Sequence, residues 1–315
     1  MKSDEASATA YLIATSTLFV AADPRAGRLI PARSAELSAC FVQTGSRVVR
    51  WIHEALPRTP ARLFVSALER LTIPGIQLHY ALRKLYLEEV ALEALADRFR
   101  QIVIFGAGYD TLALRLHETF PDTQFIELDH PATQRRKTHA LAAARRDARQ
   151  ISNLCQTSNL HFLPVDLTRQ QLAATLRDFA GYRADAPTLF IAEGLLMYLS
   201  PVEVDNLFQT IRESGGPSSR FAFTFMEPQA NGHINFLTRS RIVDAWLNLK
   251  REVFKWGIRR SELNRYLAAR GFALRDLATH ETLRRRYLES HTLTAHLPLA
   301  AGEYVCVADL DGKQN

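Results

Sequence analysis

Short apolar runs and amphipathic stretches alternate along the chain. The first 98 residues carry helical periodicity at 34–56 and 62–71, a break at Pro74-Gly75, and a long helical stretch at 80–99. After residue 98, apolar runs of strand length are centred near residues 102, 125, 161, 189, 221, 272 and 304. Helices are predicted between them near residues 112, 134, 170, 202 and 261. This alternation predicts an α/β fold with a mostly parallel sheet.

One segment, QIVIFGAGYDTLALRL at residues 101–116, is the most informative. Its residues 102–105 form a continuous apolar run of strand length, and Gly106 and Gly108 bracket a tight turn. An amphipathic helix is expected to begin near Tyr109. Backbone N–H groups and a helix N-terminus then meet at the carboxyl edge of the sheet, where nucleoside cofactors bind.

Carboxylates close the strands that follow the glycine turn. Asp129 ends the second strand, Asp166 the third and Glu193 the fourth. Asp129 or Asp166, taken singly, is equally compatible with a helix N-cap or a turn. Glu193 is different, because a carboxylate directly after a buried strand is costly to bury unless it is paired. Thr111 stands where the dinucleotide fingerprint needs its third glycine, which disfavours a nicotinamide site without excluding one.

This series resembles the leucine carboxyl methyltransferase family, a branch of the class I S-adenosylmethionine-dependent methyltransferases that includes polyketide-type small-molecule O-methyltransferases. The matching pieces are YALR (80–83), IVIFGAGYDTLALRL (102–116), ELDHP (127–131), PVDL (164–167), AEGLLMYL (192–199) and FKWGIRRSELNRYLAARGF (254–272). The resemblance implies a Rossmann-like, seven-stranded, mostly parallel sheet whose last strand, at 304–309, is antiparallel. We expect a helical cap region at 1–98, a cofactor-binding α/β domain at 99–315, and a lid insertion at about 227–258.

The resemblance also implies S-adenosylmethionine as the cofactor and S-adenosylhomocysteine as its product. Asp129 is placed to accept hydrogen bonds from both ribose hydroxyls, as an acid does in nucleotide folds generally. The resemblance implies that Asp166 accepts a hydrogen bond from the exocyclic amine of adenine and that Leu167 packs against the adenine ring.

The methionine end of the cofactor requires different partners. Gly106, with Gly108 beside it, would let the backbone approach this end. Arg83 can fork onto the cofactor carboxylate, although a surface arginine paired with a glutamate on its own helix is the plainer reading. By resemblance, Glu193 completes the site. Family members often carry a basic residue in the N-terminal segment, and here none precedes Arg25 in TSTLFVAADPR.

Methyl transfer to oxygen requires a nucleophile opposite the sulfonium. A carboxylate acceptor is already ionised at neutral pH, so positioning would supply most of the rate and no general base is needed. A phenol or alcohol would benefit from a base, for which His233 and Tyr198 are the candidates. His233 fits a structural role in the lid better, and Tyr198 is expected to shape the pocket near the transferred methyl.

Composition narrows the class of protein. The chain has 315 residues, of which 47% are hydrophobic, and a net charge of +6. Most of its basic clusters fall on predicted helices, which indicates solvated helix faces rather than a nucleic-acid-binding surface. A positive field would attract an acidic small molecule. No run reaches about 20 apolar residues, so no membrane span is predicted and a cytoplasmic location is expected. Cys40, Cys155 and Cys306 lack metal-ligand spacing, and no metal is invoked.

The sequence therefore predicts an S-adenosylmethionine-dependent O-methyltransferase that esterifies a small-molecule carboxylate, in secondary metabolism. A non-catalytic cofactor-binding or interaction module with the same fold is one alternative, and a nicotinamide-dependent oxidoreductase is another. No sequence pattern specifies an oligomeric state.

Overall fold

The computed structural model describes residues 7–43, 59–146, 158–167, 172–230, 232–237, 254–290 and 292–311. The α-helices within these ranges are α1 Ala8–Ala21, α2 Ser34–Gln43, α3 Thr59–Thr72, α4 Ile76–Ala96, α5 Leu112–Leu116, α6 Pro131–Arg146, α7 Leu172–Asp178, α8 Pro201–Ser214, α9 Arg260–Ala268 and α10 His280–Tyr287. The strands are β1 Gln101–Phe105, β2 Gln124–Asp129, β3 Leu160–Pro164, β4 Thr188–Ala192, β5 Arg220–Met226, β6 Phe272–Ala278 and β7 Glu303–Leu310. Short 3₁₀ helices cover Gly27–Leu29 and Leu196–Tyr198.

The strands form one sheet in the order β3-β2-β1-β4-β5-β7-β6. The pairs β1–β2, β1–β4, β2–β3 and β4–β5 are parallel, whereas β7 runs antiparallel to both β5 and β6. The predicted seven-stranded, mostly parallel, Rossmann-like sheet with an antiparallel last strand is therefore confirmed.

Residues 102–105 of the first strand are all apolar because helices cover both faces of the sheet. Ile102 and Ile104 belong to one buried cluster, while Val103 and Phe105 belong to the cluster on the opposite face. Successive side chains of a strand point to opposite faces, so a strand that is buried on both sides lacks the usual alternation with polar residues. This explains why periodicity located the strand as an unbroken apolar run.

The pairing register brings the predicted site residues to one edge. Phe105 pairs with Leu128 across β1 and β2, and Ile104 pairs with Ile191 across β1 and β4. The residues that follow these pairs, the glycine turn after β1, Asp129 on β2 and Glu193 after β4, therefore leave the sheet side by side. Parallel strands that end together create the crevice in which open α/β sheets bind ligands.

One prediction about a helix was wrong, and one helix was missed. The helix after the glycine turn begins at Leu112 and not near Tyr109, because Asp110 N–H donates to Ala107 O at 2.8 Å and closes a turn, while the Tyr109 ring packs edge-on against Tyr11. Helix α10 was not predicted. Its N-cap is Thr279, whose hydroxyl accepts a hydrogen bond from a backbone N–H of the first turn.

The N-terminal helices lie against the sheet domain. Helix α1 contacts α2 and α4, and its buried residues join the same apolar cluster as Ile102 and Ile104. Cys40 and Cys306 are buried, as expected of small apolar side chains, and Cys155 lies outside the described residues. Among the described helices, none is both long enough and apolar enough to span a membrane.

Candidate active site at the carboxyl edge of the sheet

The turn between β1 and α5 depends on two glycines with positive φ. Gly106 has φ +64° and Gly108 has φ +51°, in the region that residues with a Cβ rarely adopt. A Cβ on Gly106 would also lie 2.9 Å from Cδ1 of Leu195, in the turn after β4. The turn is therefore closely packed against the loop that carries Glu193.

Asp129 holds the glycine turn to the second strand. Its carboxylate accepts hydrogen bonds from the backbone N–H groups of Gly108 and His130. The residue is only 8% exposed, and burial raises the pKa of its carboxyl against the effect of these two donors. Each carboxylate oxygen has a second lone pair, so Asp129 can still accept hydrogen bonds from a diol.

The end of the third strand lies next to Asp129. The backbone N–H of Val165 donates to the carbonyl oxygen of Asp129 at 2.7 Å, which ties the segment after β3 to the end of β2. Asp166 and Leu167 follow directly, both partly buried, and Leu167 packs against the apolar cluster that contains Val165. Asp166 and Leu167 thus follow a residue that is hydrogen-bonded to the end of β2, and their roles toward an adenine stay predictions.

Arg83 is buried and makes ion pairs with residues far away in sequence. Its Nε and Nη2 lie 2.9 and 2.8 Å from Oε1 of Glu193, and its Nη1 donates to both oxygens of Glu303, at 2.6 and 2.7 Å. Burial opposes ionisation of Glu303, but the Arg83 guanidinium and the His79 ring outweigh it and lower the pKa of that carboxyl to about 2. The plainer reading of Arg83 as a surface arginine is therefore wrong, and its assignment to the cofactor carboxylate stays a prediction.

Lys84 is the more exposed cation of the ion-pair network, with its side chain 17% exposed. Its Nζ lies 3.0 Å from Oδ1 of Asp110 and 3.0 Å from Oε2 of Glu193, where it bridges the glycine turn and the turn after β4. Burial alone would raise the pKa of Asp110, but Lys84 and Lys137 outweigh it and lower this pKa to about 2. The two carboxylates in turn raise the pKa of Lys84 above its ordinary value despite burial, so Lys84 is a cation at neutral pH.

A second lysine, which is fully buried, also contacts the glycine turn. Lys137 of α6 donates to Oε2 of Glu127 at 2.6 Å and to the backbone carbonyl of Asp110 at 2.7 Å, and the side chains of the lysine and the glutamate are fully buried. Burial raises the pKa of Glu127 to about 7, against the charge of Lys137. Lys137 therefore joins the second strand, its following helix and the glycine turn.

The two residues predicted for acid–base chemistry are Tyr198, in the segment after β4, and His233, in the segment after β5. Tyr198 packs its ring 5.3 Å from that of Phe254, centroid to centroid, beside a small apolar cluster that includes Met197. His233 is exposed in a tight turn, where its carbonyl accepts a hydrogen bond from Gln229 N–H at 2.9 Å. The assignments of Tyr198 and His233 to acid–base chemistry stay predictions.

The predicted lid is described only at its ends. Residues 238–253, which include Arg239, Arg241 and Trp246, lie outside the described residues. Trp256 is buried and packs its ring against Tyr266, in agreement with a packing role. The lid and the division at residue 98 remain predictions.

Helix α1 covers the glycine turn. A Cβ on Gly108 would lie 3.4 Å from the Cβ of Ala10, and the backbone N–H of Ser7 donates to Oγ1 of Thr133 at 3.5 Å. A cavity remains between α1, α2, α4 and the turn. Its lining residues are Ile13, Ala14, Thr17, Ile30, Pro31, Ser34, Ser38, Ala81, Lys84, Tyr109 and Thr111. No group of three or more His, Cys, Asp or Glu side chains among the described residues is arranged to hold a metal ion.

Sequence reasoning missed four charged residues of this site. Lys84 stands next to Arg83 on a helix, where tandem cations usually indicate a solvated face, and Asp110 lies inside the glycine motif. Lys137 lies in a run of basic residues. Glu303 opens the apolar strand EYVCVADL, and an acid in such a strand was the one available sign of a buried ion pair.

Comparison with known proteins gives consistent matches. A sequence model of the leucine carboxyl methyltransferase family matches residues 5–212. A Mycolicibacterium paratuberculosis protein named "Putative S-adenosyl-L-methionine-dependent methyltransferase" is 33% identical over 197 residues, which are 61% of this chain and 61% of that protein. A similarly named protein of Mycolicibacterium smegmatis is 37% identical over 147 residues, 47% of this chain and 46% of that protein. The chain thus matches about half to three fifths of the length of these curated relatives.

A solved structure shares the fold. The crystal structure titled as a putative methyltransferase from Thermobifida fusca YX superposes with a TM-score of 0.51 and 14% sequence identity, covering 87% of this chain and 94% of that one. At this level of identity the likeness concerns the fold alone.

Proposed function

The chain belongs to the leucine carboxyl methyltransferase family, and from this membership we propose that it is an S-adenosylmethionine-dependent methyltransferase. The observation that carries the proposal is the composition of the sheet edge. Asp129, an adjacent acid and apolar wall, and a network of both charge signs lie side by side at the ends of neighbouring strands. These groups match, in order, a ribose, an adenine and an amino-acid end.

The described residues suit this cofactor chemically. Asp129 would hold the ribose diol, and Asp166 with Leu167 would hold the adenine. The glycine turn would let the backbone lie against the methionine end, because glycine has no side chain to keep a ligand away. When bound, S-adenosylmethionine supplies a methyl group on a positively charged sulfur. The protein's part is to hold that methyl in line with the acceptor and to exclude water, a task to which the cover formed by α1 contributes.

We propose a small-molecule carboxylate as the acceptor, in secondary metabolism. A carboxylate is ionised at neutral pH, so the site needs no group that removes a proton. The net charge of +6 favours the approach of an anion. The exposed position of His233 fits a reaction without a general base, and Tyr198, packed against Phe254, is suited to shape the acceptor pocket. A protein C-terminal carboxylate is a less favoured acceptor.

Three alternative functions would each give a different result from this proposal. A hydroxyl acceptor would give His233 or Tyr198 a role as the base. A non-catalytic member of the family would bind the cofactor without transferring its methyl. A nicotinamide-dependent oxidoreductase is opposed by Thr111 at the third glycine position, which is buried with its hydroxyl 3.2 Å from that of Ser34.

The test uses methyl-labelled S-adenosylmethionine and a panel of aromatic and aliphatic carboxylic acids, with matched alcohols and phenols. A methyl ester releases volatile labelled methanol in mild base, whereas a methyl ether does not. We expect base-labile label with at least one acid, and none with Asp129→Ala. Base-stable label would favour the hydroxyl reading. Binding of S-adenosylhomocysteine without transfer to any acceptor would favour the non-catalytic reading.

A further inference from the structure

Helix α3 presents an apolar stripe to solvent. Leu63, Phe64, Leu68 and Leu71 are 66%, 69%, 48% and 69% exposed, and Ala67 between them is exposed as well. A surface helix of a globular protein normally turns such residues toward the core. Because contiguous exposed apolar surface usually marks a contact with another molecule, this apolar stripe of α3 is a candidate interaction surface.

The polar side of α3 faces the protein instead. Arg62 lies 3.7 Å from Oδ2 of Asp23, and its guanidinium lies over the Phe19 ring at 5.6 Å from the centroid. Two turns further along the helix, Glu69 accepts hydrogen bonds from the backbone N–H and the side-chain amide of Gln77, at 3.2 and 3.1 Å. Arg62 and Glu69 lie on the side of the helix opposite the apolar stripe, so these contacts hold the stripe outward.

The spacing of the stripe suits a second helix. Phe64, Leu68 and Leu71 follow one another at intervals of four and three residues, which is the seam along which two helices pack. Ala67, in the middle of the stripe, is small enough to let another helix approach closely. The stripe therefore has the pattern of one half of a helix pair.

The exposed area of the stripe fits a pair of identical chains. Its four large side chains present on the order of 450 Å² of apolar surface per copy. A homodimer interface of standard size buries about 800 Å² per partner, of which about 65% is apolar. Two stripes packed against each other would thus supply most of the apolar core of such an interface.

The charges on α3 favour a second copy over a lipid surface. Of the three charged residues at 62–72, Arg62 and Glu69 contact the protein and Arg70 is exposed. A helix that binds lipid carries Lys and Arg along an exposed polar side. In an antiparallel pair centred at Ala67, the two copies of Arg70 lie about 9 Å apart along the axis, comparable to a Debye length of about 8 Å, so their repulsion is weak.

We propose that α3 is a self-association surface through which two copies of this chain form a symmetric dimer. The two α3 helices pack antiparallel about a twofold axis near Ala67, so that each apolar stripe contacts the same stripe of the other copy. The dimer goes beyond the proposed function and does not depend on it, because none of the contacts involves the cofactor site.

The experiment measures the mass of the full chain by sedimentation velocity between about 1 and 200 µM, because the population of a weak dimer depends on protomer concentration. Wild-type protein should pass from monomer to dimer over this range. Leu68→Gln and Phe64→Gln should each raise the dimer dissociation constant at least about tenfold, because each removes apolar area from the centre of the contact. Val202→Gln is the matched control. It changes an apolar residue on α8 that is 68% exposed, and it should leave the dissociation constant within about twofold.

Unfolding of the variants is checked separately. Since both α3 side chains are exposed, each variant should melt cooperatively within about 2 °C of wild-type protein at the lowest concentration. Wild-type protein that stays monomeric at about 200 µM would overturn the inference, and so would a dimer whose dissociation constant is unchanged in both α3 variants. Monomers that bind phosphatidylglycerol vesicles, and lose this binding in Leu68→Gln, would overturn it in favour of a lipid-binding surface.

Discussion

Replacing Glu303 by glutamine tests whether the buried ion-pair network stabilises the fold. Glu303 lies at the start of β7 with its side chain 1% exposed, and it is held by Arg83 at 2.6 Å and by His79 at 2.9 Å. Glutamine has nearly the same shape but no charge. The substitution therefore leaves the Arg83 guanidinium buried with Glu193 as its one remaining carboxylate partner.

Two estimates of the folding free energy lost in Glu303→Gln agree. Removing one partner of a buried ion pair costs about 3–5 kcal/mol. Independently, the lowering of the Glu303 pKa from 4.5 to about 2 corresponds to about 3 kcal/mol of folding free energy, at about 1.36 kcal/mol per pH unit. A chain of this size should lose about 2 °C of melting temperature per kcal/mol, so we expect a fall of about 6–10 °C at pH 7.

The lowered pKa of Glu303 also predicts how the stability effect of the substitution depends on pH. Because the pKa of Glu303 is lower in the folded chain than its ordinary value of 4.5, its stabilising contribution is present above about pH 4.5 and is lost as the pH falls toward 2. The stability difference between wild-type protein and Glu303→Gln should therefore be largest near neutral pH. It should shrink when both proteins are compared near pH 3.

The assay is thermal and urea unfolding at pH 7 and pH 3, with Asp309→Asn as the control. Asp309 lies on the same strand, is 39% exposed, and pairs with Arg220 and Arg275. Arg220 is buried but keeps Asp97 as a partner at 3.3 Å, so removal of the Asp309 charge should cost less than removal of the Glu303 charge. The reasoning is refuted if Glu303→Gln is no less stable than Asp309→Asn at pH 7, or if its deficit is the same at both pH values.

Three other substitutions have definite expectations. Gly106→Ala should cost at least about 1–2 kcal/mol in urea unfolding, because alanine is strained at φ +64° and its Cβ meets Leu195; an unchanged midpoint would contradict this. Lys137→Met should raise the pKa of Glu127 above its value of about 7, so that the variant loses stability relative to wild-type protein as the pH rises from 7 to 9; a constant gap would exclude this coupling. Arg83→Lys should lower both the melting temperature and the affinity for S-adenosylhomocysteine, because one ammonium does not replace a guanidinium shared by two carboxylates; equal affinity would remove Arg83 from the support of the site.

The sheet was predictable from sequence because its strands are buried on both faces. Unbroken apolar runs such as 102–105 stand out from the surrounding helices, and a glycine or an acid marks the carboxyl ends of the first four strands. The position of Asp129 beside the glycine turn followed directly from this order, since parallel strands end together.

The charge network was not predictable in the same way. Its contacts join residues that are distant in sequence: Arg83 meets Glu303 across 220 positions and Glu193 across 110. Local periodicity gives Arg83 the pattern of a helix-surface residue, and only tertiary packing reveals that this face of α4 lies against β7. The start of α5 was missed for a related reason, because ring packing of Tyr109 against Tyr11 overrides the local tendency to form a helix.

Calorimetric titration with S-adenosylhomocysteine, beside NAD, is the most direct test of the proposal that this edge of the sheet is a methyltransferase cofactor site. We predict micromolar binding of S-adenosylhomocysteine, no binding of NAD, and loss of binding in an Asp129→Ala protein that still melts cooperatively. The same S-adenosylhomocysteine affinity in Asp129→Ala, or tighter binding of NAD by wild-type protein, would contradict the account.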